Sequence, residues 1–381
     1  MKSLPVYTMD YELPPENRWD QLPSYLRKSG AMLAKRGVAF VQDHGAVDIV
    51  ASLLRLLTKG RNPYRAEIKA ASRIMRVDYN TCVVSNYIYE IQQIGLYGME
   101  KVWNRDLASL RDRFDIFTGA LQERVNELKR SGVACTAGAR IYPGIGMVHV
   151  RSMDWPLGGL GRHSLLLHHV NNPAGDFYSI GWPGCSGVLS GFKPGRFSAT
   201  INQAFMYAAP NLQWPPAHLL RWVFEHCHTF TKALETLRNT PVCVPAFILL
   251  ASSTRAVVVE MGPDGNTVVA MKPGRPLVIA NDYLSRRKKA EAKRLGIEFD
   301  SDDRRDMLGR RMLKAKVTSV EQGLGLLKAW PVEHEDSMQQ MAFAHGPGHL
   351  YAVGREEDKA VASRLMALDI LRKPTRAGQS R

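Results

Sequence analysis

A cysteine, an arginine and an aspartate stand at a spacing that suits a nucleophile and its supports: Cys135, Arg151 sixteen residues on, and Asp154 nineteen residues on. The residues between them, Ala134–Ile141 and Met147–Met153, have the apolar and mixed texture of two short strands around a Pro143-Gly144-Ile145-Gly146 turn. A hairpin would bring both ends together, so Cys135, Arg151 and Asp154 are expected to meet at one sheet edge. A cysteine attacks as its thiolate, and a neighbouring arginine favours that form. Two bases are open. His149 lies two residues from Arg151 and shares its strand face. Alternatively the chain is cut between Ala134 and Cys135, and the freed α-amine, with a pKa of roughly 7.7–8.0, serves as the base while Asp154 orients it. The plainer alternative is a buried structural cysteine beside an ion pair at a strand end.

Cys135-Thr136, with Arg151-Ser152-Met153-Asp154-Trp155-Pro156 following, resembles the N-terminal-nucleophile amidases. That group includes the choloylglycine hydrolases and penicillin V acylase. The Arg-Ser-Met-Asp run is similar to that of the acid ceramidase and N-acylethanolamine-hydrolysing acid amidase branch. Further segments resemble the same family in the same order. They are Pro14-Pro15-Glu16-Asn17-Arg18-Trp19, Asn86-Tyr87-Ile88-Tyr89-Glu90, the stretch from Gly187 to Asn202, Asn281-Asp282-Tyr283 and Asp302-Asp303-Arg304-Arg305. The resemblance implies catalytic roles for Cys135, Arg151, Asp154, Asn281 and Arg304. It implies an oxyanion-holding or substrate-orienting role for Asn202 and Asn281, an amide N–H being suited to a developing negative charge. It implies site-lining positions for Tyr89, Glu90, Met153, Trp155 and Gln203. Gln203 departs from the family, whose ceramidase members carry glutamate there. Taken alone, Asn281 reads as a turn residue after a strand, and Arg304 as part of a charged helix start.

Composition narrows the class. The chain has 381 residues, 45% hydrophobic and 23% charged, enough for a large core. The longest apolar run, Val242 to Ser252, contains a proline and is too short to span a membrane. The first ten residues lack an apolar signal core, so a cytoplasmic location is expected. The five cysteines are odd in number and widely spaced, which argues against a disulfide framework or a zinc site. His226-Cys227-His228 does not have the spacing of metal ligands on a helix. No metal or cofactor is expected. The net charge is +15, from 51 basic and 36 acidic residues. No nucleic-acid motif accompanies it. It reads as a solvated basic surface, compatible with weak contact to anionic membranes.

Residues 21–130 read as mostly helical, with helices over Val47–Lys59, Pro63–Val77 and Cys82–Gln93. Met99–Arg130 reads as an inserted charged helix, either a lid or an oligomer contact. Strands follow over Ser164–Val170, Phe177–Gly181, Gly187–Gly191 and Arg196–Ala204, then one amphipathic helix over Pro216–Asn239. Strands at Pro245–Ser252, Ala256–Met261, Asn266–Met271 and Leu277–Ala280 lead to helices Arg304–Val317 and Ser319–Trp330. A last pair of strands covers Met338–His345 and His349–Val353, before a basic tail from Leu371.

The expected fold is α+β: a four-layer αββα N-terminal-nucleophile hydrolase with two stacked antiparallel sheets and a helical N-terminal segment. The expected segments are 1–134, with an insertion at 99–130, and 135–381, packed as one unit. The activity implied is hydrolysis of linear amides through a Cys135 acyl-enzyme after cleavage at Ala134/Cys135. The substrate implied is a small or lipid-like N-acyl amide. An acyltransferase with an amine acceptor, or a non-catalytic lipid- or partner-binding protein on the same fold, are the alternatives.

Overall fold

The computed structural model describes residues 2–42, 47–57, 62–91, 134–155, 158–204, 213–262, 265–285 and 300–368. The chain opens with two edge strands, β1 (Lys2–Ser3) and β2 (Val6–Asp10), followed by α1 (Ser24–Gln42), α2 (Val47–Leu57), α3 (Arg65–Met75) and α4 (Tyr79–Asn86). Asp78 caps α4 by accepting the Thr81 N–H. The hairpin of β3 (Ala134–Tyr142) and β4 (Gly146–Asp154) turns on Gly144 and Gly146. Both have positive φ, 81° and 78°, a region glycine enters without steric cost. Next come β5 (Leu165–Val170), β6 (Phe177–Gly181), β7 (Ser190–Lys193) and β8 (Phe197–Gln203), then α5 (Pro216–His226) and α6 (Phe230–Asn239). The chain continues through β9 (Ala246–Ala251), β10 (Ala256–Met261), β11 (Thr267–Ala270) and β12 (Leu277–Ile279). It ends with α7 (Ser301–Lys314), α8 (Val320–Gly325), β13 (Ser337–Ala344), β14 (His349–Glu356) and β15 (Lys359–Ala367).

The strands form two sheets. One runs β1-β15-β14-β13-β4-β3-β12, the other β11-β10-β9-β8-β7-β6-β5-β2. Alternation along each strand sorts the side chains into layers. Ala137, Ala139 and Met147 of one sheet meet Phe247 and Leu249 of the other in an inter-sheet core. Val148 and Val150 face outward and pack with Leu308 and Met312 of α7 and Leu324 of α8. Phe197, Ala199 and Ile201 face the other way, onto Leu220 and Phe224 of α5 and Leu237 of α6. The first four helices cover the β2–β5 end of the second sheet, around Trp19 and Leu167. These are the four αββα layers.

Several expectations need correcting. The sheets are not wholly antiparallel: β1 pairs with β15 and β2 with β5 in parallel. Those edges are filled by chain remote in sequence, so no hairpin fixes their direction. The single helix expected over Pro216–Asn239 is two. The Lys193 ammonium reaches the carbonyls of Phe224 and Cys227 at the end of α5, and that of Ala174. It thereby satisfies acceptors that a continuous helix would have bonded internally. Thr229 then caps α6 through the Lys232 N–H. The helix expected over Ser319–Trp330 is the short α8, and β15 was not anticipated. The Met99–Arg130 insertion and the tail from Leu371 lie outside the described residues.

One crossing fixes the loop beside the hairpin. Gly161 meets Gly354 of β14 backbone to backbone. A Cβ on Gly161 would lie 1.8 Å from the Arg355 carbonyl oxygen, and one on Gly354 would lie 2.1 Å from that of Gly161.

Candidate active site

Cys135 is buried at the start of β3, on its inter-sheet face. In the hairpin register Cys135 is opposite Met153, Ala137 opposite Arg151, and Ala139 opposite His149. Opposed residues share a face, so Arg151 and His149 lie on the side of Cys135. The Arg151 guanidinium donates through one terminal nitrogen to the Cys135 sulfur at 3.3 Å and to the Ile201 carbonyl at 2.6 Å. Its other terminal nitrogen donates to Ser190 Oγ at 2.6 Å. Its Nε has no hydrogen-bond partner.

His149 shares the face but not the neighbourhood. Four residues of strand separate its register position from Cys135, about 13 Å at 3.3 Å per residue. Its Nδ1 is 2.7 Å from Ser198 Oγ and its Nε2 3.1 Å from Thr200 Oγ1. Burial, with the charges of His345 and Arg151, holds it well below the usual imidazole range. As a base for Cys135 it is out of reach.

Asp154 is opposite Ala134 and therefore takes the other face of the hairpin, toward α7. The expected three-way meeting does not occur, because an offset of nineteen residues puts Asp154 out of phase with Cys135. Asp154 instead accepts from Ser337 Oγ at 2.7 Å and Ser152 Oγ at 3.1 Å. His334 Nε2 lies 3.3 Å from its second oxygen, within ion-pair distance but without hydrogen-bond geometry. Burial opposes the charged form of His334. The adjacent Asp154 carboxylate, helped by Asp336, outweighs that and raises its pKa.

The main chain of Cys135 is held from both sides. The β3–β12 pairing ends at Ala137 and Ile279. Where the same register would place Asn281 opposite Cys135, the Asn281 side chain continues it: Oδ1 accepts the Cys135 N–H at 3.0 Å. Arg304 of α7 donates to the Cys135 carbonyl at 2.9 Å, to Thr136 Oγ1 at 3.1 Å and to Asn281 Oδ1 at 2.9 Å. Burial pulls the Arg304 pKa down, with the charges of Asp154 and Cys135 acting against it. Asn281 is anchored in turn. Its backbone N–H donates to Ser301 Oγ at 2.9 Å and its Nδ2 to the Gln203 carbonyl at 2.9 Å. Asn202 donates from Nδ2 to the carbonyls of Ile279 and Ala280, at 3.2 and 3.1 Å, which engages the amide expected to meet an oxyanion. Its buried Oδ1 has no partner.

An apolar cavity of about 100 Å³, which Cys135 itself does not line, shares wall residues with the cluster around it. Leu33, Leu160 and Trp182 line it and also pack in the cluster that contains Cys135 and Met153. Trp182 Nε1 donates to the Leu160 carbonyl at 2.8 Å, which ties the 158–164 loop to the wall. Of the expected lining residues, Tyr89, Glu90 and Trp155 face the cavity, Met153 packs beside Cys135, and Gln203 enters through its backbone carbonyl. Sequence reading missed Ser190, Ser301, Ser337 and His334. Ser190 lies within a quoted family segment and Ser301 just before another, so both were findable. His334 has no local signal.

No family model matches the chain. Acid ceramidase of Heterocephalus glaber is 23% identical over 319 residues, covering 74% of this chain and 70% of that protein. Acid ceramidase of Homo sapiens is 22% identical over 317 residues, with the same shares. Among solved structures, the Caenorhabditis elegans N-acylethanolamine-hydrolyzing acid amidase ortholog aligns with a TM-score of 0.45 at 18% identity, over 56% of this chain and 93% of that one. The chain is thus similar in sequence to the acid ceramidases over about three quarters of its length, and its own fold is α+β, two stacked sheets between helical layers.

Proposed function

We propose that this protein is a self-activating cysteine amidohydrolase that cleaves N-acyl amides with an apolar chain. The observation that carries the reading is the frame around Cys135: Arg151 on its sulfur, Asn281 on its nitrogen, Arg304 on its carbonyl oxygen. In activation, the Cys135 sulfur adds to the Ala134 carbonyl carbon and the Ala134–Cys135 C–N bond breaks. The nitrogen takes a proton, and water hydrolyses the resulting thioester. The products are an Ala134 carboxylate and a free α-amine on Cys135, which Asn281 Oδ1 is positioned to keep oriented.

In turnover, the amine takes the thiol proton as sulfur adds to the substrate carbonyl. The proton passes to the leaving nitrogen as the C–N bond breaks. Water then hydrolyses the acyl-enzyme and restores the thiol. Arg151 supports the thiolate. The apolar cavity that shares wall residues with the Cys135 cluster suits a hydrocarbon chain, and the acid ceramidase relatives support the N-acyl amide class.

The test is intact mass with N-terminal sequencing, before and after incubation across pH, and turnover of N-acyl amides. A fragment beginning at Cys135 and a Cys135→Ala protein that stays whole and inactive are expected. A Cys135→Ala protein that is cut at the same bond, or that still hydrolyses the amides, would end this reading.

A further inference from the structure

The cavity that shares Leu33, Leu160 and Trp182 with the Cys135 cluster has one carboxylic acid in its lining, Glu90. Glu90 is 3% exposed, and its Oε1 has no hydrogen-bond partner. Its neighbours include the thiols of Cys185 and Cys243, which feel its charge. Burial pushes its pKa up to about 8.

The other buried carboxylates among the described residues are handled differently. Glu67 takes two hydrogen bonds from Arg221. Glu225 takes bonds from Arg221, Tyr11 and Tyr64. Glu260 receives the N–H groups of Leu284 and Ser285 and the Ser285 hydroxyl. Asp154 has Ser152, Ser337 and His334. Buried polar atoms in folded proteins are nearly always met, so an orphaned oxygen facing a cavity calls for an occupant. Among the described residues the packing around it offers none: Leu33, Ile88, Leu160 and Trp182 are apolar wall, and the Ser85 hydroxyl and Asn86 amide in the lining donate to the carbonyls of Cys82 and Gly184.

We propose that Glu90 is a specificity-determining residue that receives a hydrogen-bond donor, a hydroxyl or an amine, carried on the otherwise apolar substrate chain that fills this cavity. The inference rests on amide hydrolysis at Cys135 and adds the chemistry of the chain. A site built to bond a polar group discriminates strongly against the analogue that lacks it, because the site's own polar atom is then left bare. A hydroxyl leaves Glu90 protonated. An amine arrives as an ammonium and converts it to a carboxylate.

The experiment compares three sets of N-acyl amides of equal chain length: unsubstituted, hydroxylated and aminated, with the substituent moved along the chain. Wild type, Glu90→Leu and Glu90→Gln are assayed for kcat/KM. At its best position the wild type should favour a donor-bearing chain over the plain one by tenfold or more, and Glu90→Leu should erase that preference. Glu90→Gln keeps a preference for the hydroxyl but loses one for the amine, which separates the two sources. A wild type that handles the plain chain as well as the substituted ones at every position would overturn the proposal. So would a preference that survives in Glu90→Leu. If no amide is turned over, the hydrolase reading fails by itself. The subsite is then read by calorimetric binding of the same three sets to Cys135→Ala protein, with and without Glu90→Leu, where the same preference must appear and vanish. Thermal melting checks folding, and Glu90→Leu should melt no lower than wild type, since it removes a buried polar atom.

Discussion

The Arg151 guanidinium sits 3.3 Å from the Cys135 sulfur, and no carboxylate pairs with Arg151 among the described residues. Its other partners are a hydroxyl and a carbonyl, which solvate the charge without balancing it. A donor held there stabilises the negative charge that develops on the sulfur as it reacts. Replacing Arg151 with methionine should therefore slow alkylation of Cys135 by iodoacetamide about tenfold at neutral pH. The rate is followed by peptide mass spectrometry, with Cys82 as the buried reference thiol. An unchanged rate would show that the guanidinium does not govern the sulfur.

Asn281 replaces a missing rung of the β3–β12 ladder with a side-chain oxygen. Asn281→Ala should lower amide turnover by about 10²- to 10³-fold, the usual cost of losing one positioned polar group at a reacting centre. It should also slow the appearance of a Cys135 N-terminus in the mass assay. Asn281→Asp keeps the acceptor and should retain more cleavage than the alanine variant.

The pairing of His334 with Asp154 makes stability depend on pH in a defined sense. The folded-state pKa of His334 lies above its unfolded value of about 6.5. Its contribution is therefore fully present below pH 6.5 and is lost as pH rises through the raised folded value. Denaturation midpoints of wild type and His334→Gln should differ most in acid and converge in mild alkali, with a gap of about 1 kcal/mol. A gap that widens with pH would mean that the imidazole is held neutral.

The Gly161–Gly354 crossing leaves no room for a methyl group on either backbone. Gly354→Ala should cost about 3 kcal/mol in a urea titration, as overpacking against rigid backbone does. The displaced strand presses on Gly161 of the 158–164 loop, which holds Leu160 on the cavity wall. Activity on long-chain amides should fall further than activity on short-chain ones.

Much of the site was readable because it is local. The Cys135–Asp154 hairpin follows from strand alternation and a Gly-rich turn, and the strands at Phe177–Gly181 and Ala256–Met261 come out with the bounds expected. Alternation also contains the phase: an odd offset sends Asp154 to the face opposite Cys135. The break between α5 and α6 was not readable locally. Its cause is an ammonium from β7, more than thirty residues upstream of Phe224 and Cys227, and no helix propensity around His226 announces it. Likewise the parallel edges depend on which remote segments find each sheet. His334 reaches Asp154 across 180 residues of chain.

The edge strands β1 and β2 give a cut before Cys135 an unusual physical consequence. Residues ahead of the cut supply a border strand to each sheet, and Glu67 and Tyr64 reach across to Arg221 and Glu225. The two pieces would stay interlocked, so severing the bond changes little in the folded state. It changes the molecularity of unfolding. The uncut chain refolds as a first-order process, whereas two separated fragments must find each other, and their midpoint must rise with protein concentration. Maturation would thus leave the shape intact while turning an intramolecular equilibrium into an association.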